Sequence, residues 1–457
     1  MKRILYKKLL AGCTLGVLSA CQFGQNNEIH LRGQLQDMPG RSVVMSYDGA
    51  SSFLGNSKDV VLNLDTEGRF DTILTLTAPA YYNISRNTLY LSPGDDLTIK
   101  ITQRNSEAEF SGKGAEANNY MKDRLFPHAG SYLEGGMNVR DDFASTRILI
   151  DSLAQERRKQ LMALQNVSDE FKRLESARIS ADVLNSYSYY PTYANIQAQI
   201  RKSPEMAIRR HQVDSFYLSL SADVQAMVRE LNREENLNVA VARSVISNLL
   251  LDRQLKSWSQ NMSFTSRAQE LVEAARHIDK LSEHLTDSVL SDATDFTKQM
   301  ENQDFADELL AKIEQAGRLL KGQAFDLMLS DVEGNSCRLS DFKGKVIYLD
   351  FWATWCGPCI QESPYFESLA KEYIDKDIVF LPISIDTNKK TWNDYLKVHS
   401  KELTQYHSLD KAIKEDWAIK YIPRFVLIDK DFKIVDAYAP APSDGKIHEL
   451  LTSLLSQ

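Results

Sequence analysis

Hydrophobic and polar positions change rhythm twice along this 457-residue chain. Over residues 28–110 the period is two. Ile29, Leu31 and Leu35 alternate with polar residues, and Val43-Val44-Met45, Val60-Val61-Leu62-Asn63-Leu64, Ile73-Leu74-Thr75-Leu76 and Leu97-Thr98-Ile99-Lys100-Ile101 are further strand candidates. Alternation puts every second side chain on one face, as in a strand buried on one side. Thr66-Glu67-Gly68-Arg69 and Ser92-Pro93-Gly94-Asp95 supply the turn chemistry between them. Short strands at this spacing predict a small N-terminal all-β sandwich over residues 28–111.

Over residues 112–318 the period becomes helical. No glycine occurs in 137–316, and the prolines there are Pro191 and Pro204. Residues 148–162 and 239–251 carry apolar side chains at helical spacing, and Ser168-Asp169-Glu170 and Ser221-Ala222-Asp223 read as helix N-termini. A central all-α bundle of roughly six to nine helices is expected. The cluster Tyr187, Tyr189, Tyr190 and Tyr193 beside Pro191 reads as packing between two helix ends rather than a patch for a client protein or sugar.

From residue 322 the pattern mixes both periods. Ala324-Phe325-Asp326-Leu327 and Cys337-Arg338-Leu339, around Asp331-Val332-Glu333-Gly334-Asn335, read as a β-hairpin. A continuous apolar run, Val346-Ile347-Tyr348-Leu349-Asp350-Phe351-Trp352, reads as a buried central strand. A second buried strand follows at 378–385, then helices at 392–398 and 410–420, strands at 425–428 and 434–435, and a closing helix at 443–455. That order predicts a C-terminal α/β domain, residues 322–457, with a mixed sheet covered on both faces.

The chemistry lies where the central strand ends. Ala353-Thr354-Trp355-Cys356-Gly357-Pro358-Cys359 puts two thiols two residues apart at the start of a helix. They can close a small disulfide, and the unpaired N–H groups and dipole of the helix favour a thiolate on Cys356. That is the chemistry of thiol–disulfide exchange. The other cysteines are Cys13, Cys21 and Cys337, too few in all for a disulfide-stapled scaffold. Cys337 reads as a buried or neutral hairpin residue rather than a third redox thiol.

Asp350-Phe351-Trp352-Ala353-x-Trp355-Cys356-Gly357-Pro358-Cys359 resembles the thioredoxin active site, and Glu362 with Pro364 matches the Cys-x-x-Cys-x-x-Glu-x-Pro pattern of its TlpA/ResA-type branch. Tyr421-Ile422-Pro423-Arg424 is similar to the cis-proline loop of that fold. The resemblance implies that Cys356 attacks a client disulfide, that Cys359 resolves the mixed disulfide, and that buried Asp350 takes the proton of Cys359. Glu362 either shares that role or is a first-turn acid favoured by the helix dipole. Trp352 and Trp355 are expected to shield and frame the disulfide. Trp355, Gly357, Pro358, Ile422 and Pro423 would form the client-binding surface, with Ile422 pairing to an extended peptide. The sequence departs from thioredoxin at Leu381-Pro382-Ile383-Ser384-Ile385-Asp386, which lacks the lysine found near the acid in that family.

The N-terminus has the layout of an export signal. Basic residues through Lys7-Lys8 precede a short apolar stretch, residues 9–20, and Leu18-Ser19-Ala20-Cys21 resembles a bacterial lipobox. Residues 1–21 then form a lipoprotein signal segment ending in its lipobox cysteine, and the resemblance implies that the signal is removed and Cys21 is lipidated. Gln22 after it leans toward the outer membrane of a Gram-negative envelope, with the protein facing the periplasm. The fold class expected is therefore multidomain, and β-sandwich domains precede thioredoxin-like ones in many lipoproteins of the Bacteroidetes type.

The net charge of −8 gives no support for a nucleic-acid partner, and the eight histidines show no metal-ligand pair on one helix face. No metal and no cofactor beyond the redox disulfide are expected. The expected partners are client proteins with disulfides or Cys-x-x-Cys, a membrane thiol-transporter electron donor, and the membrane through the lipid. Two rival functions stand beside reduction of client disulfides: a disulfide oxidase or isomerase on the same fold, and a surface ligand-binding lipoprotein with an accessory redox domain.

Overall fold

The computed structural model describes residues 27–456 except Pro39 and Lys321. Cys21, its lipobox and the whole signal segment lie outside the described residues. Eight strands come first: β1 (Glu28–Leu35), β2 (Ser42–Tyr47), β3 (Val60–Asn63), β4 (Arg69–Thr75), β5 (Ala80–Ile84), β6 (Asn87–Leu91), β7 (Asp96–Ile101) and β8 (Glu109–Lys113). They form two four-stranded sheets, β4-β1-β7-β8 and β3-β2-β5-β6. Ile29, Leu31, Leu97 and Ile99 of one sheet share a core with Met45, Leu62, Tyr82 and Leu89 of the other.

The second sheet also has a buried outer face. Tyr82, Ile84 and Leu89 point into the sandwich, whereas their neighbours Tyr81 and Tyr90 belong to the core of the helical region. Alternation along β5 and β6 thus feeds two cores at once. The seam is polar as well as apolar. Tyr81 donates to Glu175 at 2.7 Å, Asn118 bonds both backbone groups of Tyr90 at 2.9 Å, and Arg243 pairs with Asp48 at 2.7 Å.

The helical region contains, among the described residues, α1 (Ala115–Met121), α2 (Phe143–Ala163), α3 (Asp169–Arg201), α4 (Val213–Leu231), α5 (Ala240–Leu251), α6 (Ser266–Glu283), α7 (Asp287–Thr297) and α8 (Gln303–Leu320). Ser168 caps α3 through Phe171 N–H at 3.1 Å. Two expectations need correction. The tyrosine cluster does not join two helix ends: α3 runs 33 residues straight through Pro191. Tyr187 and Tyr190 bury against Phe143 within the bundle, and that packing outweighs the lost backbone bond. Ser221 to Asp223 do not start a helix but lie inside α4, and Ser221 turns its hydroxyl back to the carbonyl of Leu218.

The C-terminal region is a seven-stranded mixed sheet. Its elements are β9 (Met328–Ser330), β10 (Ser336–Arg338), β11 (Val346–Trp352), α9 (Gly357–Glu372), β12 (Ile378–Ser384), α10 (Lys389–Val398), β13 (Tyr406–His407), α11 (Ala412–Glu415), β14 (Arg424–Ile428), β15 (Ile434–Asp436) and α12 (Lys446–Leu455). The strand order is β10-β9-β13-β12-β11-β14-β15. The hairpin begins later than expected, at Met328, because Leu327 turns into the core and Gln323 bridges Lys433 instead. The expected helix at 410–420 shrinks to Ala412–Glu415. Its successors Trp417 and Ile419 leave the helix to fill the core beside Phe325 and Phe351.

The helices meet the sheet at the strand after Pro423. Arg424 donates to the carbonyl of Ser282 at 2.8 Å and lies 3.6 Å from the ring centroid of Tyr438, whose hydroxyl donates to Leu281 at 2.9 Å. Lys420 pairs with Asp279 at 2.8 Å, and Leu319 of α8 enters the core of the sheet. No described helix is long and apolar enough to cross a membrane.

Candidate functional site

The central strand β11 is buried along its whole length and splits its side chains by parity. Ile347, Leu349 and Phe351 face the core with Trp417. Val346 and Tyr348 face α9 and α12, and Asp350 and Trp352 continue that same face. The sequence therefore aims its one charged strand residue at the underside of the helix that carries the cysteines.

Cys356 is the N-cap of α9, and Pro358 occupies the first turn, where its missing N–H costs nothing. Cys356 and Cys359 form a disulfide. The N–H of Cys359 donates to Cys356 Sγ at 3.2 Å, so the first sulfur receives a free helix N–H. On reduction the same donor and dipole would stabilise its thiolate. The Ile422–Pro423 peptide is cis, and Cys356 Sγ lies 3.7 Å from the Ile422 carbonyl oxygen. The loop expected to receive a client is therefore beside the outer sulfur.

An apolar pocket surrounds the sulfurs. Trp352, Ala353 and Trp392 pack with both cysteines, and Ile385, Tyr395 and Ile422 close the margin. The two tryptophans of the motif part company. Trp352 is buried in this cluster, whereas Trp355 is 70% exposed and stands outside it. A ring that the motif does not contain, Trp392 of α10, packs fully buried against both cysteines, unnoticed in the sequence because it lies 33 residues beyond Cys359. Gly357 and Pro358 are exposed beside the sulfurs.

Asp350 is 3% exposed, and its Oδ1 has no hydrogen-bond partner among the described residues. Burial pushes its carboxyl up to about 8; the nearby Lys401 charge pulls it down and Glu362 pushes it up. A carboxyl titrating there can accept and return a proton near neutral pH. Glu362 lies nearby but turns its oxygens to Ser443, accepting from its hydroxyl at 2.8 Å and its N–H at 3.2 Å. It pins the segment before α12.

Two further residues escaped sequence reasoning. Asp386, just past β12, accepts from Thr354 and Ser384 and so fixes the turn that leads to Cys356. Lys401, in the loop after α10, donates to Ser363 of α9 at 2.5 Å. Asp386 was visible as a strand-end acid, but nothing local marked Lys401. Cys337 is a free, half-buried thiol on β10, held above its usual range by burial and then by Asp341 and Asp331. Among the described residues no group of three or more His, Cys, Asp or Glu side chains could hold a metal.

Comparison with known proteins agrees with this geometry. The family model described as Redoxin matches residues 315–454. The thiol–disulfide oxidoreductase ResA of Bacillus thuringiensis is 27% identical over 132 residues, covering 29% of this chain and 76% of that protein. ResA of Bacillus subtilis is 25% identical over 126 residues, 28% of this chain and 70% of its own. A crystal structure from Bacteroides vulgatus, provisionally assigned as a thiol–disulfide oxidoreductase, is 65% identical and covers 30% of this chain and 99% of its own, with a TM-score of 0.30. Through this C-terminal region the chain belongs to the thioredoxin-like redoxins, and it is a thiol–disulfide oxidoreductase of the ResA type.

Proposed function

We propose that the chain is a lipid-anchored, periplasm-facing reductase that passes electrons from the Cys356–Cys359 couple to disulfides of client proteins. The observation that carries this reading is the 3.7 Å approach of Cys356 Sγ to the Ile422 carbonyl. An extended client pairing with the cis-proline loop as an added strand would bring its own sulfur alongside Cys356. Cys356 then attacks, forming a mixed disulfide, and the thiolate of Cys359 breaks it with Asp350 as proton acceptor. Gly357-Pro358 between the cysteines is the dipeptide of reducing thioredoxins, which supports the direction. Cys21 would carry the lipid, residues 28–111, 112–318 and 322–457 would be three domains, and a membrane thiol transporter would supply electrons. Clients include oxidised protein thiols and apocytochromes with Cys-x-x-Cys-His.

The deciding measurement is the reduction potential of the couple, by equilibration against glutathione and dithiothreitol. A value near about −270 mV supports the reductase, whereas about −120 to −180 mV makes the protein an oxidase or isomerase. Cys356→Ser should abolish insulin reduction, and Cys359→Ala should trap clients as mixed disulfides. An empty trap would favour the ligand-binding alternative.

A further inference from the structure

The partner strand offers Asp350 no cation. Opposite Asp350 on β12 stands Pro382, and the lysine of thioredoxin has no counterpart there. A positive charge arrives instead from an element the motif does not include. Lys401 sits between α10 and β13, with a side chain only 14% exposed. Its ammonium donates to Ser363 Oγ at 2.5 Å, lies 3.9 Å from Glu367, and stands 5.9 Å from the ring centroid of Trp352. Ser363 and Glu367 belong to α9, and Trp352 follows Asp350 by two residues on the same face of β11. The lysine thus bridges the seam between the cysteine helix and the strand that carries the acid.

The charged groups that act on Asp350 are Lys401 and, from α9, Glu362; Tyr348 of β11 feels its charge, and Glu367 of α9 faces Lys401. Of the charges acting on Asp350, Lys401 favours the carboxylate and Glu362 opposes it. A buried carboxylate with one unpartnered oxygen ionises only at a cost, and a cation facing it lowers that cost.

We propose that Lys401 is a positioning residue of the redox centre: anchored on Ser363, it holds its positive charge toward Asp350, so that Asp350 ionises more readily and can take the proton of Cys359. This deepens the reading of Cys359 as the resolving thiol and rests on it. In that step the Cys359 thiol gives its proton to the Asp350 carboxylate. The Cys359 thiolate then attacks Cys356 Sγ, the bond from Cys356 to the client sulfur breaks, and the Cys356–Cys359 bond forms. The client sulfur leaves as a thiolate with the electron pair, so Cys359 is oxidised and the client reduced.

The test uses the full-length reduced protein and 5,5′-dithiobis(2-nitrobenzoate), which needs neither a client nor an electron donor. Cys356 releases one thionitrobenzoate in a first phase, and Cys359 releases the second on resolving the mixed disulfide. Lys401→Met should move the pH midpoint of the second phase up by about one unit, slowing it about tenfold below that midpoint. The first phase should be unchanged, and Lys401→Arg should restore the parent profile. Coincident profiles for Lys401→Met and the parent would overturn the proposal, as would equal shifts for Met and Arg, which indicate a packing role.

Should Lys401→Met not fold, the unsubstituted protein still decides. The 15N resonance of the Lys401 ammonium should shift with the titration of Asp350, and a flat trace across that range would exclude the assignment. An oxidising potential would defeat the reductase reading and leave these two readouts untouched.

Discussion

Thr354 donates twice to Asp386, through its N–H at 3.0 Å and its hydroxyl at 2.8 Å. These bonds tie the turn before Cys356 to the end of the neighbouring strand, and Ser384 adds a third at 2.8 Å. Asp386 is buried, so removing its carboxylate strands donors away from water. Asp386→Ala is expected to lower stability by about 1–3 kcal/mol in urea unfolding. It should also slow the first thiol attack, since Cys356 bonds back to Ala353 within the same turn. Asp386→Asn, which keeps an acceptor, should fall between. Unfolding midpoints equal to the parent's for Asp386→Ala would rule out this bracing role.

Asp350 links stability to pH. Its carboxyl is raised from 3.8 to about 8 by burial, so between those values the folded protein holds a proton that the unfolded chain has released. Its contribution is complete below 3.8 and is lost as pH rises through about 8. Asn has no proton to lose. Asp350→Asn should therefore gain stability relative to the parent as pH rises across that window, by at most about 1.4 kcal/mol per pH unit. Denaturant titrations at several pH values would show the widening gap; a constant difference would mean that Asp350 is ionised throughout.

The seam between sandwich and helices holds a buried ion pair. Arg243 meets Asp48 at 2.7 Å and also donates to Leu237 at 2.8 Å and Ser52 at 3.1 Å. Arg243→Met leaves Asp48 buried without its cation and should cost about 3–5 kcal/mol. The double variant Asp48→Asn, Arg243→Met should recover part of that loss, because no unpaired charge remains. A single variant as stable as the parent would show that water reaches Asp48.

The sequence announced what local pattern can carry. The β1 and β7 alternation, the apolar run of β11 and the cysteine pair at the start of α9 were legible because each is a short-range signal. Strands β5 and β6 were not, because Tyr81 and Tyr90 bury outward against the helices and erase the polar half of the alternation. The two-residue β13 is too short for any period, yet it joins the hairpin to the sheet through His407 and Ser330. At the site, the linear motif led to Asp350, Pro423 and the cysteines. Trp392, Asp386 and Lys401 reach the same place from distant elements by tertiary packing, which no spacing rule encodes.

The grip of α6 on Arg424 and Tyr438 has a consequence for how the sulfurs meet their targets. A redox module swinging on a loose linker would search by sampling orientations, and much of that search would face unproductive directions. Here the strand that follows the cis-proline loop is held by helix carbonyls, so the reactive face keeps one bearing relative to the helices. Encounter then depends on tumbling of the whole molecule and on what its neighbouring surfaces admit. The price of lost reach is a narrower choice of approach, and selectivity among clients is thereby written into architecture as well as into the sulfur chemistry.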